Sequence, residues 1–389
     1  MIEIESRPSA ASRPAARLSL FYAAAFMVTG AQLPFWPVWL AARGLGAGQI
    51  AALLAAAIWA KVILTPVFGT VADRIGRRRT MVALATIAFI ADLSLWPVAG
   101  FWPLLLLNLV ALAAQSALMP LGDAVTLARA RGTGLDYGRI RVWGSVSFIA
   151  TTLVTGAILA HTSSQAVLAV VLAATALLML ACKSIPADRS ARIASDAGRL
   201  TRIAGLSGRT RFWGFAVTAA VLQASHQLYY GFGSLYWSSL GFSGTTIGWL
   251  WAEGVAAEIL LFWLGRHLIR RLGPIGLMAL GGIAGVTRWG LAGLVVSLPA
   301  IAALQLLHAL TFGASYLGTV HFVSRTVPPA NAASAQALCA AVSSGVGGLA
   351  MIAAGRLYPE WGGHAYWLMA LLSAAGLGGA LRLRHADPD

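Results

Sequence analysis

Long apolar runs separated by very short polar turns make up most of this chain. One run ends near Gly69 and the next begins at Met81, and four arginines and one aspartate lie between them. In lipid, a chain segment must satisfy its own backbone hydrogen bonds, so runs of this length predict membrane-spanning helices. Two spans joined by so short a basic turn form a hairpin, and Lys and Arg place its turn on the cytoplasmic side.

Composition points to the same class of protein. The chain is 58% hydrophobic and 11% charged, with a mean hydropathy of +0.76, whereas a soluble domain carries about 25% charged residues. Its 389 residues leave room for about twelve helices of membrane-spanning length. We therefore predict an all-α integral membrane protein with twelve spans, near residues 18–42, 48–72, 80–99, 101–128, 140–160, 165–184, 212–240, 246–270, 274–297, 299–325, 331–356 and 363–383.

The distribution of positive charge predicts the topology. With the N-terminus inside, 24 of the 28 Lys and Arg fall in cytoplasmic segments, Arg43 and Arg356 fall outside, and Lys61 and Arg288 lie within spans. The net charge of +15 is therefore a topology signal, and membrane lipids rather than nucleic acid are the expected partner. We expect a multi-pass protein of a bacterial-type inner membrane with both termini in the cytoplasm.

The chain also repeats itself. Segment 44–50 resembles 241–247, and segment 74–76 resembles 271–273, both at an offset of 197 residues. A constant offset predicts two halves of six spans each, although chance similarity between Gly-rich membrane segments is an alternative. The predicted organisation is a disordered cytoplasmic arm at 1–17, a first half at 18–185, a cytoplasmic linker at 186–210 and a second half at 211–389.

Ionisable side chains within the predicted spans are few. Each costs at least ~2.5 kcal/mol at the bilayer centre, so each needs a partner or a cavity. Lys61 and Glu258 are separated by the repeat offset and could be counter-ions across a central cavity, or a purely structural pair. Asp123 and Arg141 lie in adjacent spans and could form a pair that opens when substrate or a proton arrives, or a static clamp.

Glu258 is the main candidate for proton coupling. It lies about 20 Å into its helix at 1.5 Å per residue, where a carboxylate favours its neutral form. Arg288 keeps its charge and needs a carboxylate or an anionic substrate. His308 alone would be a packing histidine, but near Glu258 and Arg288 it could relay a proton. Asp92 is either a second proton site or a residue that hydrogen-bonds a neighbouring helix.

Aromatic residues cluster in the first and seventh predicted spans. Those nearer the outer interface fit the aromatic belts of membrane proteins: Trp39, Tyr236 and Trp237. Trp36, Tyr229 and Tyr230 lie deeper and could line an aromatic substrate site.

Several motifs resemble one transporter superfamily. The turn Gly69-x-x-x-Asp73-Arg74-x-Gly76-Arg77-Arg78-Arg79 resembles the loop between helices 2 and 3 of the major facilitator superfamily, which makes Gly69, Asp73, Arg74, Gly76 and Arg77 candidates for a gating loop. The blocks 33–40 and 136–145 resemble the phenylpropionate permease branch, close to the lactose and nucleoside proton symporters. The resemblance implies two six-helix halves around a central cavity, in a protein that works as a monomer.

The resemblance also implies site residues. In lactose permease the second arginine of the helix-5 block and an acidic residue of helix 4 bind substrate, and the matching positions here are Arg141 and Asp123. Its helix-8 glutamate, helix-9 arginine and helix-10 histidine resemble Glu258, Arg288 and His308.

The chain departs from lactose permease at two places. The proton-carrying glutamate one turn after the histidine is Thr311 here, and the helix-7 aspartates are missing, with Gln223 and His226 in that region. We therefore expect Glu258 to carry the proton, and we do not expect a sugar as substrate.

The expected function is proton-coupled uptake of a small organic carboxylate, aromatic in kind, by alternating access. Arg141 or Arg288 would meet the carboxylate, the deep aromatic residues its ring, and Glu258 the proton. A proton-driven exporter of drugs or metabolites is the alternative, and a membrane sensor that keeps the fold is a third class. The sequence has no nucleotide-binding loop, metal cluster or nucleophile–base pair, so neither an enzyme nor a cofactor is expected.

Overall fold

The computed structural model describes residues 12–133, 135–185, 210–328 and 331–385, and all of its regular elements are helices. Before the predicted linker these are α1 (Ser12–Ala42), α2 (Ala47–Ile75), α3 (Arg77–Ser94), α4 (Phe101–Ser116), α5 (Leu118–Thr133), α6 (Tyr137–His161) and α7 (Gln165–Ser184). After it come α8 (Thr210–Ala224), α9 (Gln227–Ser239), α10 (Gly244–Ala292), α11 (Leu298–Leu306), α12 (Ser315–Thr326), α13 (Ala332–Trp361) and α14 (Tyr366–His385).

The helices agree with the predicted apolar runs. Nine segments of the described residues are long and apolar enough to cross a bilayer, which confirms an all-helical membrane protein, while the number twelve stays a prediction. One of them, Ser334–His385, has 52 residues, more than twice the length of a single crossing. Helix α10 has 49 residues and bends at Gly273, whose φ of 65° suits glycine, just before Pro274.

The prediction of a disordered N-terminal arm at 1–17 is corrected in part. Residues 1–11 lie outside the described residues, but Ser12–Arg17 belong to α1 rather than to a disordered arm. Pro14 does not prevent this because proline is tolerated in the first turn of a helix, where its missing N–H has no intrahelical acceptor. Most of the predicted linker, residues 186–209, also lies outside the described residues.

Three predicted spans are each interrupted once. The span at 101–128 divides at Ala117, three residues before Pro120, which removes a backbone donor from the start of α5. The span at 212–240 divides at Ser225 and His226. The span at 299–325 contains a π-helical turn, Ala309–Ala314, between α11 and α12. Such turns often lie at functional sites.

Helix packing sets the frame for the polar residues. Helix α1 packs on α6 and α7, and α10 packs on α14, α12 and the π-helical turn. The most extensive packing between the residues before the predicted linker and those after it is that of α2 on α13 and of α6 on α10, and α1 also contacts α9.

Glycines allow the backbones of the α6–α10 and α2–α13 pairs to touch. A Cβ atom added at Gly156 of α6 would meet the carbonyl oxygen of Gly244, and one added at Gly248 would lie 2.9 Å from the carbonyl oxygen of Thr152. In the other pair, a Cβ at Gly355 would meet the side chain of Ala51. These contacts lie where α6 ends and where α2 and α10 begin, at the end of the molecule opposite the basic turn 74–79.

The outer faces of many helices carry exposed large apolar side chains, among them Trp263, Trp102, Leu371, Ile63 and Leu349. A soluble protein rarely exposes so much contiguous apolar surface, whereas lipid accommodates it without cost.

Candidate functional site

Arg288 of α10 is the centre of a buried polar cluster, and only 1% of it is exposed. Its Nη1 donates to His308 Nδ1 and to Thr311 Oγ1, each at 3.1 Å, and its Nη2 donates to Gln305 Oε1 at 2.6 Å. All three acceptors are neutral groups. Among the described residues, no carboxylate lies within ion-pair distance of this guanidinium.

Aromatic rings surround the guanidinium. Its carbon lies 4.9 Å from the ring centre of Tyr229 and 4.2 Å from that of Trp289. Tyr229 stacks on Trp251 at 4.2 Å, and Trp289 stacks on Tyr366 at 5.6 Å. Cation–π contacts of this kind stabilise a desolvated cation by about 2 kcal/mol, but they do not neutralise its charge.

Gln305 connects the cation to Tyr229. Its amide nitrogen donates to the Tyr229 hydroxyl and to the carbonyl oxygen of Leu250, both at 3.1 Å. Because the Tyr229 oxygen accepts from Gln305, its own hydrogen remains available to another acceptor.

A cavity of about 20 Å³ lies beside these groups, with Tyr229, Arg288 and Trp289 among its lining residues. That volume holds about one water-sized group. Arg288 Nε and Trp289 Nε1 are buried and have no hydrogen-bond partner among the described residues. The unpaired polar atoms of these lining residues are therefore N–H donors, and the cavity suits an acceptor oxygen.

The bond from Arg288 fixes the tautomer of His308. A guanidinium can only donate, so Nδ1 of His308 must be the acceptor, and a neutral imidazole then carries its hydrogen on Nε2. That Nε2 lies 3.9 Å from Glu258 Oε2, whose side chain is 17% exposed. The distance is too long for a hydrogen bond, but it places Glu258 next to the only hydrogen of the ring that can reach it.

His226 takes the opposite tautomer. Its Nδ1 lies 3.3 Å from the carbonyl oxygen of Gln223, which can only accept, and its Nε2 lies 3.1 Å from Thr311 Oγ1. Nδ1 therefore carries the hydrogen, and the single hydroxyl hydrogen of Thr311 goes to Nε2 rather than to the carbonyl oxygen of His308 at 3.4 Å. Hydrogen bonds thus run from Arg288 through Thr311 and His226 to Gln223, and every group except Arg288 is neutral.

The irregular backbone brings these residues together. His226 follows the break between α8 and α9, and the π-helical turn Ala309–Ala314 places His308 and Thr311 on the face that meets Arg288. Gly254 of α10 lies against His308, where an added Cβ would be 3.4 Å from the Cβ of His308, an ordinary van der Waals distance.

The predicted ion pair between Asp123 and Arg141 is not formed. Asp123 Oδ1 accepts instead from the hydroxyls of Tyr22, at 2.6 Å, and Tyr137, at 3.0 Å. The guanidinium of Arg141 stacks over Phe26 at 4.1 Å. Two phenol donors satisfy the carboxylate, so Asp123 does not need Arg141 as its partner in this structure.

The predicted pair of Lys61 and Glu258 is also wrong for this structure. Lys61 is exposed on α2, and no carboxylate of the described residues lies within 4 Å of it. Glu258 adjoins His308 instead. The equal sequence offset did not fix the direction in which each helix points its side chain.

Asp92 of α3 is fully buried, and the structure does not bring it into contact with the Arg288 cluster. Its Oδ2 accepts from Thr175 at 3.1 Å and from Gln115 at 3.3 Å. These bonds tie α3 to α7 and α4, as one of the two interpretations of this residue predicted. Its Oδ1 has no partner among the described residues.

The predicted aromatic residues divide between two places. Tyr229 and Tyr230 adjoin the cluster, and Tyr230 stacks on His226 with the ring centres 5.8 Å apart. Trp36 does not: its indole donates to Asn108 at 2.7 Å and stacks on Trp39 at 4.6 Å, within the core between α1 and α4.

Five residues of the cluster were not among the predicted site residues: Trp251, Trp289, Gln305, Thr311 and Tyr366. Gln305 could have been found, because it is a polar residue in an apolar run and lies three positions before His308, on the same helical face. The aromatic residues carry no comparable signal.

The predicted gating loop connects α2 to α3. Gly76, with a φ of 98°, forms the connection, and Asp73 and Arg74 are exposed while Arg77 is partly buried. Gly69 does not lie at a close helix contact in this structure, because an added Cβ would meet nothing within 4 Å.

A bundle of lipid-facing helices around a buried polar cluster is typical of a membrane transport protein. The model of the MFS_1 like family matches residues 15–369, and the chain therefore belongs to this family of transporters. This confirms the predicted superfamily, and the protein is a membrane transporter rather than an enzyme.

Known relatives agree with the family. The Probable 3-phenylpropionic acid transporter of Escherichia coli (strain K12) is 31% identical over 362 residues, which cover 92% of this chain and 94% of that protein. The maltose permease of Geobacillus stearothermophilus is 26% identical over 92% of this chain and 91% of its own length. Among solved structures, the nucleoside transporter NupG has a TM-score of 0.82 at 19% identity, covering 96% of this chain and 98% of that one.

Proposed function

We propose that the protein takes up a small aromatic carboxylate together with a proton, by alternating access. The observation that carries this is Arg288, a fully buried cation whose hydrogen bonds all go to neutral groups. A buried charge without a counter-charge costs several kcal/mol. A carboxylate relieves that cost and matches the planar fork of a guanidinium.

The surroundings of Arg288 favour an aromatic acid. Tyr229, Trp251, Trp289 and Tyr366 offer ring faces and edges around the cation, and stacking on such rings contributes about 0.5–1.5 kcal/mol beyond buried area. The E. coli relative, a probable 3-phenylpropionic acid transporter, supports the same class of substrate.

Glu258 supplies the proton coupling in this proposal. A substrate carboxylate at Arg288 would share the site with Glu258, and two like charges about 7 Å apart repel by about 2 kcal/mol at an effective dielectric constant of 20. Protonation of Glu258 removes this repulsion, so the proton binds first and the anion binds about 30-fold more tightly afterwards. Cotransport of a proton also offsets the membrane potential, which opposes anion entry by about 2.3 kcal/mol per 100 mV.

Alternating access would use the glycine contacts described above. The α6–α10 and α2–α13 contacts close one end of the molecule in this structure. With the basic turn 74–79 in the cytoplasm, as the charge distribution predicts, the closed end faces outward and the site opens inward. The gating loop Gly69–Arg77 would then contribute to closure of the inner end.

The direct test is ligand binding by the purified protein. Isothermal titration at pH 5.5 would compare 3-phenylpropionate with its neutral amide and with butyrate, for the native chain and for Arg288→Gln. We expect the native chain to prefer 3-phenylpropionate over both other compounds by at least tenfold, and Arg288→Gln to lose the preference over the amide. Arg356→Gln, which removes an exposed arginine near the end of α13, is the matched control. Equal binding of acid and amide by the native chain would reject a carboxylate substrate.

A further inference from the structure

A second polar concavity lies far along the chain from the Arg288 cluster, where α3 begins and α7 ends. It has a volume of about 730 Å³, and four basic residues line it: Arg77, Arg78, Arg79 and Lys183. They come from two helices that pack against each other, so the site is a product of the fold and not only of one basic turn.

None of the described residues that line this cavity is acidic. Asp73, the acidic residue nearest in sequence to its three arginines, is exposed at the end of α2. Arg78, Arg79 and Lys183 bring three like charges to one cavity, so an anion held between them gains attraction from each and relieves their mutual repulsion.

Apolar surface continues from the cavity along both helices. Ile75 and Val82 line it, and Arg79, Ala83, Ile87 and Ile90 follow one another on a single face of α3 at helical spacing. Ile87 is 44% exposed and Ile90 is 56% exposed. On α7, Leu180 lies one turn before Lys183 and is 56% exposed. A positively charged end and two adjoining apolar stripes match the two chemical parts of a phospholipid.

We propose that this cavity, lined by Arg77–Arg79 and Lys183, is a specific site for an anionic glycerophospholipid. The phosphate diester lies among the basic side chains, and the acyl chains follow the apolar faces of α3 and α7 toward Ile90 and Leu180. Clusters of basic residues at the cytoplasmic ends of spans attract anionic lipid in general, and the cavity adds a defined position for one headgroup. The inference does not depend on the transported substrate.

The test is native mass spectrometry of the purified full-length protein with added phosphatidylglycerol or phosphatidylcholine. We expect the native chain to bind one phosphatidylglycerol at least tenfold more tightly than phosphatidylcholine. Arg78→Gln combined with Lys183→Gln should remove that preference. Arg382→Gln combined with Arg384→Gln removes the same charge from exposed positions at the end of α14 and should keep it.

Two further outcomes would overturn the proposal. An equal loss of preference in both double variants would mean that only general charge attraction acts. Displacement of the bound phosphatidylglycerol by 10 mM inorganic phosphate would mean a site for free anions, because a lipid whose chains also contribute to binding resists such competition. Two of these experiments need only the native chain: the comparison of phosphatidylglycerol with phosphatidylcholine, and the competition with phosphate. Both remain decisive even if a variant fails to fold.

Discussion

Arg288 and His308 are joined by a 3.1 Å hydrogen bond in which the arginine must be the donor. The bond forces the hydrogen of the imidazole onto Nε2, the nitrogen that lies 3.9 Å from Glu258. The cation that would hold the substrate and the carboxylate that would hold the proton are therefore connected through one ring.

Glu258→Gln should remove the pH dependence of substrate binding. In the native chain, affinity for 3-phenylpropionate should fall as pH rises, because deprotonated Glu258 repels the bound anion. The neutral glutamine mimics the protonated state, so the variant should bind at every pH with the affinity that the native chain reaches only at low pH, a difference of about 30-fold at high pH. Isothermal titration between pH 5.5 and 8.5 measures this. Glu253→Gln, in the same helix, is the control and should keep the pH dependence of the native chain. If binding by Glu258→Gln were as pH-dependent as binding by the native chain, Glu258 would be excluded as the proton site.

Trp289→Leu should change substrate selectivity. The indole adjoins both the guanidinium and the small cavity, so its loss should weaken binding of 3-phenylpropionate by about threefold to tenfold and leave the weaker binding of butyrate nearly unchanged. The measured quantity is the ratio of the two affinities, which a general loss of stability does not alter. Trp263→Leu, at a tryptophan that is 80% exposed, should leave the ratio unchanged. An equal loss of affinity for both ligands would argue against an aromatic subsite at this ring.

Gly156→Leu should hold open the end of the molecule that is closed in this structure. Its side chain would collide with the backbone of Gly244, so the α6–α10 contact could not form. We expect loss of uptake and a severalfold faster reaction of Tyr230→Cys with an impermeant maleimide added outside intact cells. The two native cysteines, Cys182 and Cys339, are buried, which keeps the background low. Gly290→Leu is the control because nothing lies within 4 Å of an added Cβ there. Unchanged labelling would contradict the proposed role of this contact.

Asp92→Asn should retain gradient-driven uptake. Asp92 bonds Thr175 and Gln115 and does not contact the Arg288 cluster, and the carbonyl oxygen of an asparagine can accept the same two hydrogen bonds. Asp92→Leu leaves Gln115 without this acceptor, whereas the Thr175 hydroxyl can still donate to the carbonyl oxygen of Val171 at 2.8 Å. The variant should lower the thermal midpoint of the purified protein, at a cost of about 1–3 kcal/mol for the unpaired group. Thermal unfolding and vesicle uptake check the two variants. Loss of coupling in Asp92→Asn with normal stability would assign the proton to Asp92 instead.

The sequence was sufficient to predict the all-helical membrane class and the buried cation at the centre of the site. Apolar runs of membrane length can only become helices in lipid, and an arginine inside such a run, Arg288, must be buried with acceptors around it. Glu258 and His308 could be named for the same reason, since ionisable residues inside a span rarely lack a role.

The partners of these residues could not be predicted. Pairing Lys61 with Glu258, or Asp123 with Arg141, assumed regular helices with known rotation. The partners of Arg288 depended on two other irregularities: the π-helical turn Ala309–Ala314 and the break before α9 set the positions of Thr311 and His226, and no residue pattern indicated either one. Phenol groups from other helices satisfied Asp123, which only the packed structure could show.

The most direct test of the account is uptake of labelled 3-phenylpropionate into proteoliposomes under an imposed inward proton gradient. The native chain should accumulate the acid, and accumulation should collapse when the gradient is dissipated. Arg288→Gln should not take up the acid at all, whereas Glu258→Gln should exchange labelled for unlabelled acid across the membrane without accumulating it. Accumulation by Glu258→Gln equal to that of the native chain would contradict the coupling role of Glu258, and uptake by Arg288→Gln would contradict the substrate site itself.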